Sequence, residues 1–206
     1  MRTVAATLTL VALLATAAHA EDGNWMVRGR VINVAPSNNG GDASIGGKPH
    51  ADNSFAPEVD VTYFATPNIG FEVIAATTKH DTKVNKKPTE TDLGSVWVLP
   101  PTLTAQYHVT EACLGNFKPY VGAGVTYAHF YNAEHRNAPG INSVKYDDAF
   151  GPALQAGVDY KISDNMYLNA DVKKLYISTD VKVNDTITAK ANLQPWVMGV
   201  GVGYRF

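Results

Sequence analysis

The sequence predicts an all-β chain, an eight-stranded antiparallel transmembrane β-barrel with short periplasmic turns and four long extracellular loops. Three observations lead there: a closing segment that alternates apolar and small residues, an export leader with no membrane helix after it, and connections that alternate between short and long.

The closing segment is the strongest of the three. Read with period two, it sets Trp196, Met198, Val200, Val202, Tyr204 and Phe206 on one face, and Val197, Gly199, Gly201, Gly203 and Arg205 on the other. A strand that is apolar and aromatic-rimmed on one side, and ends the chain on an aromatic, is how outer-membrane barrels finish. The expected partners of that strand are outer-membrane lipid and the barrel-assembly machinery.

At the other end, Arg2 precedes an apolar stretch from Val4 to about Ala18 that closes in Ala18-His19-Ala20. This reads as a signal peptide over residues 1–20, cleaved after Ala20. The remainder, 21–206, is one domain and holds no run of ~18 apolar residues for a membrane helix. Charged residues make up 17% of the chain and the net charge is −2, which argues against a nucleic-acid partner. The single cysteine, Cys113, allows no intramolecular disulfide.

The strands are expected at 24–35, 55–65, 69–79, 96–109, 117–131, 149–162, 166–179 and 193–206. In the first, Trp25, Val27 and Val31 alternate with Arg28, Arg30, Ile32 and Val34. The second sets Phe55, Val59, Val61 and Tyr63 against Glu58 and Asp60, and the tight turn Thr66-Pro67-Asn68 leads to the third, with Ile69, Phe71 and Val73 against Glu72 and Ile74. The fourth opposes Trp97, Leu99, Leu103, Tyr107 and Val109 to Val96, Val98, Gln106 and His108. The fifth opposes Val121, Val125 and Tyr127 to Lys118 and Phe130, and the sixth Phe150, Leu154, Val158 and Tyr160 to Gln155 and Asp159. Across the turn Ser163-Asp164-Asn165, the seventh opposes Met166, Leu168 and Val172 to Asn169, Asp171, Lys173, Leu175 and Ile177. The eighth adds Leu193 to the closing face. The long polar connections are 36–54, 80–95, 132–148 and 180–192, whereas Thr110–Asn116 is short. Tyr63, Tyr107, Tyr160, Tyr204 and Phe206 gather near the short-turn ends as an aromatic girdle.

The inward face has two levels. Near the short turns it carries Arg28, Arg30, Lys118, Lys173 and Arg205 against Glu58, Asp60, Glu72, Asp159 and Asp171. Eight strands leave room only for side chains, so these charges are expected to pair as a polar plug. Towards the long loops the inward residues are Ile32, Val34, Ile74, Val96, Val98, Phe130, Leu175, Ile177, Leu193 and Val197. That set is either a hydrophobic cap on the core or an apolar lumen open at the top for small apolar solutes. Pro100 and Pro101 remove two ladder donors in mid-strand, which reads as a bulge or as a lateral exit through the wall.

The segments Leu99-Pro100-Pro101-Thr102-Leu103, Phe117-Lys118-Pro119-Tyr120-Val121-Gly122-Ala123-Gly124 and Gly203-Tyr204-Arg205-Phe206 resemble the outer-membrane protein W family, which includes the alkane-import protein AlkL. So do Ala65–Val73 and Gln155–Tyr160, and the likeness spans nearly all of 21–206. The resemblance implies an eight-stranded barrel with a hydrophobic channel from outside, polar residues blocking its periplasmic end, and a lateral exit. It also implies a range of family roles, from uptake of hydrophobic compounds to stress adaptation and phage or colicin reception.

Enzymatic chemistry is not expected, and neither is a cofactor or a metal. His80, His129 and His135 lie near the loops beside Asp81, Glu134 and Asp148, but no serine completes a triad and no metal-ligand spacing appears. Solvated loop histidines are the expectation. Two rival classes remain: a surface-interaction barrel working through its loops, and a soluble lipocalin-type barrel, against which the outward apolar belt argues.

Overall fold

The computed structural model describes residues 23–37, 48–86, 89–110, 114–135, 144–183 and 187–206. The expected leader over 1–20 and Cys113 lie outside them. The barrel wall consists of β1 (Trp25–Ala35), β3 (Ser54–Phe64), β4 (Ile69–Ala76), β7 (Thr102–His108), β8 (Phe117–His135), β10 (Ala149–Lys161), β11 (Met166–Leu175) and β14 (Trp196–Arg205). Their order is β10-β11-β14-β1-β3-β4-β7-β8, and β8 pairs back onto β10, so eight antiparallel strands close without an edge. The first and last strands seal along their whole length, from Met26 opposite Arg205 to Ala35 opposite Trp196. Trp25 and Phe206 exchange backbone hydrogen bonds at the base.

Alternation sets what each face meets. Along β3 every second residue is buried without exception. The outward set is apolar around the ring, with Phe55 76%, Phe150 68% and Val200 63% exposed. Such a continuous apolar surface is unstable in water and suited to hydrocarbon. At the periplasmic rim the rings meet in pairs, Trp25 with Tyr63 at 4.9 Å and Phe117 with Tyr160 at 4.8 Å between centroids. Turns Ala65–Asn68 and Ile162–Asn165 close this end, where Ala65 N donates to Ile69 O and Ile162 N to Met166 O.

The outer connections differ from the expected loops. Segment 80–95 is largely sheet: β5 (Thr78–Lys86) pairs with β6 (Thr89–Leu99), with β2 (Lys48–Ala51) on the far side of β5 and β8 beside β6. Segment 180–192 contributes to a second sheet, in which β12 (Ser178–Val183) lies between β13 (Ile187–Asn192) and β9 (Val144–Tyr146). Above the membrane the outer face of a strand meets water and not lipid, so the apolar residue at every second position that marks the wall is not required there. The expected single strand over 96–109 is also divided, ending as β6 at Leu99 and resuming as β7 at Thr102, because Pro100 and Pro101 have no N–H to offer.

Candidate functional site: an apolar cup over a polar plug

The plug starts from Arg28 and Arg30 on β1, both fully enclosed. Arg28 grips Asp159 with two bonds, Nε to Oδ1 at 3.1 Å and Nη2 to Oδ2 at 2.8 Å, and its Nη1 donates to Asp60 at 3.0 Å and to Thr62 at 2.7 Å. Arg30 reaches Glu58 at 2.8 Å, Glu72 at 2.9 Å and Asp60. Lys173 lies 2.8 Å from both Glu58 and Asp171. Neutral donors add to these contacts: Gln106 and Gln155 each donate to Glu72 at 2.8 Å, and Tyr120 donates to Asp171 at 3.0 Å. Gly157 makes room for Tyr120, since a Cβ there would lie 2.5 Å from the ring. These bonds tie seven of the eight strands together through the centre, closing the bore with fixed side chains.

Two expected members of the plug sit elsewhere. Lys118 and Arg205 are only partly buried and line the periplasmic mouth, with no carboxylate partner among the described residues. The enclosed network therefore sets three cations, Arg28, Arg30 and Lys173, against five carboxylates, Glu58, Asp60, Glu72, Asp159 and Asp171, rather than five against five. Strand phase gave the correct face for both residues, but long side chains at a strand end reach down to water.

Above the plug lies a cavity of about 80 Å³. All ten residues read as lumen-facing line it: Ile32, Val34, Ile74, Val96, Val98, Phe130, Leu175, Ile177, Leu193 and Val197. Glu58 and Lys173 form its floor, where the ion pair of the plug meets the greasy level. Towards the outside it extends to Tyr146, whose ring stacks on Phe130 at 5.6 Å and whose hydroxyl lies 3.4 Å from Thr82 Oγ1. The volume is about half of the ~150 Å³ that admits a benzene ring, so a ring-sized occupant requires the lining to part.

Several lining residues escaped the sequence reading: Ala76, Thr78, His80, Thr82 and Tyr146. His80 corrects the expectation of a solvated loop histidine. It is buried, with Nδ1 3.0 Å from Asp52 O and Nε2 3.1 Å from Thr78 Oγ1. Its period-two relation to Thr78 and Thr82 was the available signal. His129 does face water and pairs with Asp148 at 3.0 Å. The side chains of His50 and His135 lie outside the described residues.

The wall beside the cup is interrupted at the prolines. Strands β4 and β7 pair from Ile69–Tyr107 up to Ile74–Thr102, and β5 and β6 resume at Thr78–Val98 in the same register. Between them Ala75, Ala76 and Thr77 face Pro101, Pro100 and Leu99 without ladder bonds. Pro100 and Ala76 line the cup, whereas Pro101 and Ala75 are exposed on the outer surface. On the other flank the wall holds, with Tyr127 N donating to Pro101 O at 3.0 Å. Above the gap, the hydroxyls of Tyr131 on β8 and Thr77 share a short hydrogen bond that passes over β6.

Comparison with known proteins agrees with this architecture. The OmpW family profile matches residues 21–206. The chain is 35% identical over 216 residues to Outer membrane protein W of Escherichia coli, covering 99% of this chain and 98% of the relative. It is 39% identical over 190 residues to the outer-membrane protein y4mB of Sinorhizobium fredii, covering 88% and 80% respectively. Among solved structures, the outer membrane protein OprG from Pseudomonas aeruginosa superposes with a TM-score of 0.83 at 28% identity, covering 90% of this chain and 97% of that one. An edgeless barrel with a lipid-facing belt, a plugged base and relatives named for the outer membrane leave one assignment: this chain is an outer-membrane β-barrel of the OmpW family.

Proposed function

We propose that the barrel is a passive, non-catalytic route for small apolar molecules, which enter the cup from outside and leave sideways into the bilayer between Ala76 and Pro100. The observation that carries this reading is the coincidence of the apolar cup with an interruption of the wall at two prolines, which have no N–H to close it. Water-filled passage to the periplasm is opposed by the plug, whose charges are bonded to one another across the bore. The lining supplies weak, non-directional contacts, which hold an apolar solute without trapping it.

The test fills the cup. Leu175→Trp or Val98→Trp is expected to slow uptake of an apolar solute into proteoliposomes while the barrel keeps its heat-dependent shift on a gel. Uptake equal to wild type by a folded variant would move the work of the protein to its outer sheets.

A further inference from the structure

Beneath the plug lies a second and larger cavity, about 590 Å³, open at the periplasmic end. Its lining includes Met26, Phe64, His108, Lys118, Tyr167 and Arg205. Met26, Phe64 and Tyr167 are buried and form one apolar cluster. The plug separates this vestibule from the cup, so the proposed route for apolar solutes makes no use of it.

Among the described residues its charge is lopsided. Lys118, Lys161 and Arg205 line it with one described carboxylate, Asp159, both of whose oxygens are engaged by Arg28. Arg205 is also held in place: its guanidinium lies 4.0 Å above the Phe64 ring, and its Nε donates to Gly23 O at 2.7 Å. Among the described residues, its two Nη groups have no partner, and neither does Lys118 Nζ. A fixed guanidinium with its Nη edge free matches the two oxygens of a carboxylate. The adjoining apolar cluster matches an organic body rather than a bare inorganic ion.

We propose that the vestibule binds small organic carboxylates from the periplasmic side, with the carboxylate on Arg205 and Lys118 and the body against Phe64, Tyr167 and Met26. The surplus of negative charge in the plug above opposes the anion and keeps the binding weak.

The experiment is an NMR titration of the full barrel in lipid nanodiscs, using benzoate, benzyl alcohol and inorganic phosphate as probes. Benzoate is expected to shift the Phe64, Tyr167 and His108 signals saturably, and Arg205→Gln with Lys118→Gln to weaken that binding by about tenfold, the loss of a charge-assisted bond. Benzyl alcohol, with a similar body and no charge, is expected to give no saturable shift at these residues. If the double variant does not fold, Lys118→Gln alone carries the comparison, with a smaller loss expected. The proposal is overturned if benzoate gives no saturable response, if variant and wild type bind it equally, or if benzyl alcohol or phosphate binds as well as benzoate. Signals from Ile32 and Leu175 in the cup report on apolar uptake separately, so neither result stands in for the other.

Discussion

Lys173 and Glu58 meet at 2.8 Å across the bore, reaching over the two strands β14 and β1 that stand between β11 and β3. This pair is at once the roof of the polar network and the floor of the apolar cup. The network already holds two more carboxylates than cations, so the loss of a cation is felt more than the loss of an acid. Lys173→Met raises the surplus to three and leaves Glu58 and Asp171 short of a partner. It is expected to cost about 3–5 kcal/mol, read as a lower urea midpoint of unfolding from bilayers. Adding Glu58→Leu returns the surplus to two and is expected to recover a large part of that loss.

Giving the wall back its missing donors should close it. Pro100→Val with Pro101→Val supplies two N–H groups, that of residue 100 facing Ala76 across the gap and that of residue 101 facing Tyr127 on β8. At about 1 kcal/mol for the one new bond across the gap, the closed form gains roughly fivefold in population. Uptake into proteoliposomes is expected to fall accordingly, and hydrogen exchange to show the two new amides protected. Fast exchange at both positions with unchanged uptake would contradict the lateral route.

The Tyr131 bond to Thr77 predicts an effect of opposite sign. Tyr131→Phe keeps the ring, which stacks on Trp97 at 6.3 Å, and removes only the tie above the gap. Loss of about 1 kcal/mol from the closed form corresponds to roughly fivefold more opening. Faster uptake in the same assay is the expected result; slower uptake would mean that the tie holds the path open.

At the outer rim, hydrogen bonds from the Tyr127 hydroxyl and then from His129 hold the Asp148 carboxyl below the usual carboxylate range. A depressed pKa in the folded state means that the stabilisation is present above the ordinary carboxylate value and is lost as pH falls through the folded one. The amide of Phe130 donates to the same carboxylate at 3.2 Å and serves as a reporter. Its nitrogen shift is expected to report the Asp148 ionisation as a step that lies below the ordinary carboxylate range. In Asp148→Asn the step should vanish.

What the sequence revealed follows what the solvent demands. Lipid requires an apolar residue at every second wall position, so the faces of Val27, Phe71 and Val200 were legible from period two alone. The pairs Thr82–Gly94 and Asp180–Lys190 were not, because strands above the membrane carry no such requirement. The ten lumen residues were legible as a change of polarity along the inward face. Height was harder to read: Arg205 and Lys118 share a face with the plug, yet they end at the mouth, and His80 was hidden by an apparent loop that proved to be strand.

The shared register on both sides of the prolines fixes the shape of the opening. Ile74–Thr102 and Thr78–Val98 clamp its two ends, four residue steps apart, or about 13 Å along the strands. Neither clamp can slide without turning every side chain of its strand to the wrong face. On the proposed route the aperture is therefore a buttonhole of set length. Long, thin or flat molecules are expected to pass it edge-on, and bulky branched ones to be turned away however apolar they are.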